Sequence, residues 1–185
     1  MTTPATKPVD VRAVPTEALG AADLAQLLDL FRACWPDGDF TTDDIAHAMG
    51  GVHWLAEVDG RIVGHASVVP RWIEADGHLL PTGYVEAVAT HPSWQRRGIA
   101  SRLLVPVGTR IRDAFDLGVL STGVPAVYAS AGWERWRGET WVRAADGPVR
   151  TPGEDDGIMI LRTPRTPPLD VTAPISCEWR AGDAW

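Results

Sequence analysis

Residues 95–100, Gln-Arg-Arg-Gly-Ile-Ala, follow a predicted strand and open a predicted helix. The first turn of a helix leaves backbone N–H groups without intrahelical acceptors and carries positive partial charge, so it favours bound phosphate. Gly98 has no side chain to hold a phosphate away, and Ala100 is small. Arg96 and Arg97 add positive charge beside it. The stretch predicts a pyrophosphate site, although it matches neither a P-loop nor a dinucleotide fingerprint. An ordinary helix start whose arginines contact solvent is the alternative.

A second chemical group stands in the apolar segment Tyr-Val-Glu-Ala-Val-Ala, residues 84–89. Glu86 shares a strand face with Val88, because side chains two residues apart point the same way. A carboxylate buried there without a partner would be costly, or its pKa would rise. Glu86 is therefore a candidate functional residue. An edge position facing solvent and a structural ion pair with an arginine are the alternatives.

Hydrophobic periodicity and turn signals predict the elements that must position these groups. They are, in order, a strand at 9–14, a helix at 17–34, a short helix capped by Thr41 or Thr42, hairpins at Asp59-Gly60 and Asp76-Gly77, a strand at 83–92, a helix at 98–115, a strand at 117–123, a short helix at 124–133, and strands at 137–144 and 157–163. Pro106 is expected to kink the long helix or shift its register.

A meander followed by alternating strands and helices indicates a single α/β domain with a mixed central sheet flanked by helices. Residues 1–8 are expected to be a loose lead-in and 9–185 the domain. Within it, a C-terminal tail at 163–185, which contains four prolines, is expected to wrap over the rest.

Composition excludes several classes of protein. The 185 residues include 24 acidic and 17 basic side chains, a net charge of -7, which argues against a nucleic-acid partner. The sequence has neither an apolar run long enough for a membrane span nor a signal-peptide core, so we expect a cytoplasmic protein. Five scattered histidines predict no metal site, and Cys34 and Cys177 are interpreted as packing thiols.

Q-x-x-G-x-A after a strand resembles the acetyl-CoA motif of the GNAT acyltransferases, and the predicted element order resembles their fold over residues 9–162. GYVEAVA, LGVLST, YASAGW, TPGEDDG and WRAGDAW together resemble the aminoglycoside 2′-N-acetyltransferases. The resemblance implies acetyl transfer from acetyl-CoA to an aminoglycoside 2′-amine by direct attack in a ternary complex, antibiotic resistance, and a homodimer. A GNAT enzyme for another small amine and a non-catalytic acyl-CoA or aminoglycoside sensor are the alternatives.

The resemblance also assigns roles to residues. Glu86 is expected to bind the amine and act as general base through a water, and Tyr128 to protonate the leaving thiolate. The residues implied for acetyl-CoA are Val88, Ala89, Thr90, Gln95, Arg96, Arg97, Gly98, Ile99 and Ala100. Those implied for the aminoglycoside are Asp39, Asp44, Glu86, Ser121, Asp155, Asp183 and Trp185, the last through its terminal carboxylate.

Two features depart from the resembled pattern. Residue 87 is alanine where glycine is usual, and the segment between Ser121 and Tyr128 is shorter. Trp35, Trp54 and Trp72 are candidates for narrowing the pocket toward a smaller aminoglycoside such as kasugamycin, a choice that the sequence leaves open.

Overall fold

The computed structural model describes residues 8–185, which build one mixed β-sheet with helices packed on it. The strands are β1 (Asp10–Pro15), β2 (Val52–Val58), β3 (Arg61–Ala75), β4 (His78–Thr90), β5 (Leu117–Ser121), β6 (Glu134–Arg135), β7 (Thr140–Ala144), β8 (Gly147–Arg150), β9 (Ile158–Arg162) and β10 (Ile175–Glu178). The α-helices are α1 (Ala21–Cys34), α2 (Thr42–Ala48), α3 (Ile99–Ala114) and α4 (Pro125–Ala129). The predicted α/β class is confirmed. The lead-in expected at 1–8 lies, apart from Pro8, outside the described residues.

Both predicted hairpins form. Asp59 and Gly60 have φ of 49° and 74°, and Asp76 and Gly77 have φ of 50° and 73°. Two successive positive φ angles match the right-handed twist of the flanking strands, which explains the preference for Asp-Gly. These turns join β2 to β3 and β3 to β4 in antiparallel register.

Helices cover both faces of the sheet. In α3 the side chains of Leu103, Val107 and Ile111 are buried, as their spacing predicts. α1 packs Leu27 and Leu30 into a separate cluster that contains Leu55 of β2. Leu55 and its neighbours in β2 point to opposite faces, so α1 and α3 lie on opposite sides. α3 continues as a helix across Pro106, where the sequence predicts a kink or a register shift.

β4 and β5 separate partway along their length. Their parallel pairing runs from Thr82 opposite Leu117 to Tyr84 opposite Val119 and ends there, although β4 continues to Thr90. The opening lies at the carboxyl end of both strands, which are the two parallel strands that α3 connects. It creates a cleft that residues of β4, β5 and α4 line.

The tail is part of the sheet, whereas its sequence predicts only that it wraps over the domain. β10 pairs parallel to β7 and antiparallel to β3, and it places Ile175 and Cys177 in the core. Cys177 is therefore a packing thiol, and Cys34 is half-buried. Within residues 8–185, no helix has the length and apolarity needed to cross a membrane. Those residues also contain no group of three or more His, Cys, Asp or Glu side chains placed to hold a metal.

Candidate active site

The cleft between β4 and β5 has a volume of about 370 Å³. It collects five residues assigned above to three separate roles, namely Glu86, Val88, Ser121, Tyr128 and Trp185. Trp35 and Phe40 form one wall, with ring centroids 4.4 Å apart in a stacked arrangement. Of the other tryptophans considered, Trp54 is in the core and Trp72 is exposed, so Trp35 alone of the three narrows this cleft.

Glu86 faces a partner that the sequence did not identify. Arg180 Nη1 donates to Glu86 Oε1 at 2.6 Å, and the two side chains are only 16% and 13% exposed. Burial raises the pKa of Glu86, and the guanidinium of Arg180 counteracts this rise. Arg180 also donates to the main-chain oxygens of Asp183 and Trp185. The arginine ion pair considered as an alternative is thus present, and it joins Glu86 of the cleft to Arg180, which lines an adjoining cavity.

Tyr128 lies in α4, with its phenol lining the cleft. Its ring packs edge-on against Trp133, with centroids 6.3 Å apart. Burial raises the pKa of Tyr128 to about 12, and a hydrogen bond with Thr122 opposes the rise. The phenol therefore carries its proton throughout the neutral pH range, as a proton donor must.

β4 contains a bulge beside Glu86. Ser67 pairs with Glu86 and His65 with Ala89, so Ala87 and Val88 lie where the register shifts. The carbonyl of Glu86 accepts from Ser67 Oγ, and the carbonyl of Ala87 contacts His65 Nδ1 at 2.7 Å. Consecutive carbonyls of a regular strand alternate in direction, whereas these two both face β3. The N–H groups of Ala87 and Val88 therefore point away from β3, toward the cleft.

Ala87 has φ of 49°, which produces the bulge. This left-handed conformation explains why glycine would suit the position. The two other strand residues implied for acetyl-CoA are placed differently from Val88. Ala89 is buried, and the carbonyl of Thr90 accepts from the Cys34 thiol and the Gln95 amide.

The predicted pyrophosphate loop leads directly into α3. Arg96 and Gly98 have positive φ angles of 59° and 74°, and Gly98 is the N-cap of the helix. A Cβ at Gly98 would meet no atom within 4 Å, so open space lies beside this residue at the start of the helix. Arg97 stacks on Trp94 at 4.6 Å. Ile99 is buried, so only its main chain faces this space, and Ala100 is half-buried.

The acidic residues assigned to substrate are spread over three regions. Asp44 accepts from the amide and hydroxyl of Thr41, the N-cap of α2, and Asp39 is exposed next to Phe40 of the cleft. Asp183 lines an adjoining cavity of about 450 Å³, to which Trp185 also contributes. Asp155 lines neither cavity.

Asp155 is instead held by Arg150 and Thr140. Arg150 Nη2 donates to it at 2.5 Å, and both the amide and the hydroxyl of Thr140 donate as well. These hydrogen bonds, that of Arg150 first, lower the pKa of Asp155 to about 2. Its neighbour Glu154 accepts from Ser121 Oγ at 2.9 Å and lines the same cavity as Asp183. The role predicted for Asp155 stays a prediction.

Sequence reasoning missed three groups around the cleft, namely Arg180, Glu154 and His65. Arg180 belongs to the WRAGDAW motif, so the motif itself was the available signal. Glu154 could have been found only by knowing which acid of GEDDG faces Ser121. His65 is one of two histidines on the arms of the Asp59-Gly60 hairpin, a spacing that places both in neighbouring strands.

The comparisons with known proteins agree with this geometry. Residues 23–123 match the family model described as the acetyltransferase (GNAT) family. The chain belongs to this family of acetyltransferases. Over 153 residues it is 40% identical to an aminoglycoside 2′-N-acetyltransferase of Mycolicibacterium fortuitum, covering 80% of this chain and 78% of that protein.

Solved structures share the fold at low sequence identity. A GNAT family N-acetyltransferase (YhbS) from Escherichia coli in complex with CoA is 16% identical, with a TM-score of 0.65 over 96% of this chain and 93% of that one. A GNAT family acetyltransferase from Brucella melitensis in complex with acetyl-CoA is 16% identical, with a TM-score of 0.61 over 95% and 98% of the two chains.

Proposed function

We propose that the protein transfers the acetyl group of acetyl-CoA to the 2′-amino group of an aminoglycoside by direct attack in a ternary complex. The observation that carries the proposal is the cleft where β4 and β5 separate, because a carboxylate (Glu86) and a tyrosine (Tyr128) both line it. The 40% identity to an aminoglycoside 2′-N-acetyltransferase supports the substrate class.

The donor would lie along the end of β4 and across the start of α3. Acetyl-CoA has an anionic diphosphate, and the first-turn amides of α3 offer unpaired donors behind the open space at Gly98. Arg96 would add charge at the rim of this site. The pantetheine arm would follow β4 into the cleft, where Val88 presents its N–H to the thioester carbonyl.

The acceptor would occupy the acidic side of the cleft. Aminoglycosides carry several ammonium groups, so their site needs carboxylates and hydroxyls rather than apolar walls. Ser121 of the cleft donates to Glu154, which lines the adjoining cavity together with Asp183, and the charge of Asp183 helps to raise the pKa of Glu154. Asp39 and Asp44, before and in α2, are the other acids that the resemblance implies. We assign the ammonium groups of the drug to these acids.

The chemistry needs two proton transfers. Glu86 would accept the proton of the attacking amine through a water, and Tyr128 would donate one to the departing thiolate. Deprotonating an amine one pH unit below its pKa costs about 1.4 kcal/mol, so a nearby acceptor suffices. The cleft lining contains no cysteine that could carry the acetyl group as an acyl-enzyme. We therefore propose that the amine attacks acetyl-CoA directly.

Acetylation removes a positive charge and a hydrogen-bond donor from the drug. This loss would weaken binding of the drug to ribosomal RNA and confer resistance. A cytoplasmic location would follow, because both acetyl-CoA and ribosomes are cytoplasmic. A homodimer is proposed from the family resemblance alone.

The test is thiol release from acetyl-CoA with a panel of aminoglycosides, including kasugamycin, and with polyamines as the competing class. We expect release with 2′-amino aminoglycosides and NMR evidence of acetylation at that nitrogen. Release only with polyamines would establish another small-amine acetyltransferase. Thermal stabilisation by ligand without thiol release for any amine would establish a sensor.

A further inference from the structure

A buried chain of hydrogen bonds runs from the edge of the sheet to the bulge in β4. Thr16 Oγ1 lies 2.8 Å from His53 Nε2, and His53 Nδ1 lies 2.9 Å from His65 Nε2. His65 Nδ1 in turn lies 2.7 Å from the carbonyl oxygen of Ala87. Both histidines are completely buried, which is costly for polar rings unless every nitrogen has a partner.

The direction of every bond in this chain follows from the Ala87 carbonyl at one end, given neutral rings. A carbonyl only accepts, so His65 Nδ1 carries the hydrogen that is donated to Ala87. A neutral His65 then accepts at Nε2 from His53 Nδ1. His53 Nε2 accepts from the Thr16 hydroxyl, whose hydrogen is also within reach of the Gly51 carbonyl at 3.2 Å and whose oxygen receives the amides of Gly50 and Gly51 at 3.0 and 3.2 Å.

Burial disfavours a charge on either ring, lowering the pKa of His53 to about 4 and of His65 to about 3. At neutral pH both rings are therefore neutral and carry their hydrogen on Nδ1. Phe31 packs edge-on against His65, with centroids 5.2 Å apart, and excludes water from that side.

The chain ends on a peptide group that needs to be held. Ala87 has φ of 49°, a conformation that costs an alanine about 1 to 2 kcal/mol. The bulge also leaves Ala87 and Val88 without register partners on β3. The ring of His65 replaces the missing ladder hydrogen bond on the β3 side. Because the peptide is trans, the N–H of Val88 points to the opposite side, into the cleft.

We propose that His65 is a positioning residue which, through His53 and Thr16, fixes the Ala87–Val88 peptide so that the Val88 N–H meets the thioester carbonyl. This inference rests on the proposed acetyl transfer. Preorganised donors stabilise developing negative charge without reorganising during the reaction, so a mobile peptide would lower kcat rather than weaken binding.

The kinetic test compares two substitutions at one position. His65→Leu removes the donor, and we expect kcat for acetyl transfer to fall about 100- to 1,000-fold with little change in KM for either substrate. His65→Asn keeps a donor where Nδ1 lies, and it should recover at least a tenth of the wild-type kcat. Val63→Ala, buried elsewhere in β3, controls for loss of packing. A His65→Leu enzyme within threefold of wild type would overturn the proposal, as would equal losses in the Leu and Asn variants.

An NMR measurement on the wild-type protein tests the hydrogen-bond chain from Thr16 through His53 and His65 to Ala87, called the relay below, and it needs no activity assay. Long-range ¹H–¹⁵N correlations should assign the Nδ1–H tautomer to His53 and His65 at pH 7, with a protected, hydrogen-bonded Nδ1 proton on each. An Nε2–H tautomer or a cationic ring at either position would refute the relay even if acetyl transfer is observed. If no aminoglycoside is acetylated but both tautomers are as stated, the proposed function fails and the relay stands.

Discussion

At the scale of single residues, Glu86 and Arg180 act as a pair. Each is mostly buried, and either one alone would be an uncompensated charge in the cleft. Burial favours a protonated Glu86, whereas the guanidinium favours the ionised form that can accept a proton. The base function thus depends on an arginine 94 residues away in the chain.

Arg180→Gln is expected to move the acid limb of the kcat/KM profile to higher pH. The substitution removes the strongest opposition to the effect of burial on the pKa of Glu86, so the carboxylate is protonated at a higher pH and kcat/KM near neutrality falls about tenfold or more. Arg135→Gln, which breaks an exposed pair with Asp156, is the control and should leave the profile in place. An unchanged acid limb in Arg180→Gln would mean that Arg180 does not influence the base.

Tyr128→Phe is expected to lower kcat about 100-fold with KM unchanged, because it removes the proton donor and little else. The loss should shrink with acetyl thioesters of more acidic thiols, since better leaving groups need less help. Trp133→Phe, which alters the packing partner of Tyr128, serves as the comparison. A loss equal for all thioesters would assign Tyr128 to packing rather than to proton transfer.

At this scale the sequence identifies groups but not their partners. Glu86 could be singled out because a carboxylate in an apolar strand violates the local pattern. Its pairing with Arg180, and the ion pair between Asp155 and Arg150, depend on contacts between distant or irregular segments. Spacing alone does not report such contacts.

At the scale of elements, local signals predict well. The Asp-Gly hairpins, the Thr41 cap of α2 and the apolar face of α3 depend on a few neighbouring residues, and the sequence predicts all three. It does not predict β8 and β10, because each is four residues long and exists through pairing with strands elsewhere.

Gly98→Ala tests the element that starts α3. Gly98 and Gly60 both have φ of 74° and open space where a Cβ would lie, so an alanine at either should cost a similar 1 to 2 kcal/mol, about the strain of a left-handed residue. Only Gly98→Ala should also raise KM for acetyl-CoA, by about tenfold for one weakened phosphate contact. Thermal denaturation and steady-state kinetics measure both effects. Equal KM values in the two variants would argue against a phosphate site there.

At the scale of the whole molecule, the tail joins the sheet to the cleft. β10 is inserted between β3 and β7, and the chain then returns so that Trp185 lines the cleft and Arg180 pairs with Glu86. His47 of α2 contacts the carbonyl of Ala181 at 2.8 Å, and Trp185 Nε1 donates to Thr151. The sequence does not predict this insertion, because the tail contains four prolines and prolines are typical of loops.

The buried histidine pair also makes the stability of the whole fold depend on pH. Burial lowers the pKa of His53 to about 4 and of His65 to about 3, while the unfolded chain binds these protons near pH 6.5. Below pH 6.5 the unfolded state therefore holds more protons than the native state, so stability falls as pH falls. Glu86 and Glu154 oppose this trend, because burial raises their pKa values.

Removing one histidine isolates its contribution to that trend. The free energy of unfolding of the wild type, measured by chemical denaturation from pH 7.5 to 5, should fall more steeply than that of His65→Asn, with a difference approaching 1.4 kcal/mol per pH unit below pH 6 for one proton. His78→Gln removes an exposed histidine and should keep the wild-type slope. Parallel curves for the wild type and His65→Asn would mean that His65 is protonated in the native state, which is incompatible with a donor chain running from Thr16 to Ala87.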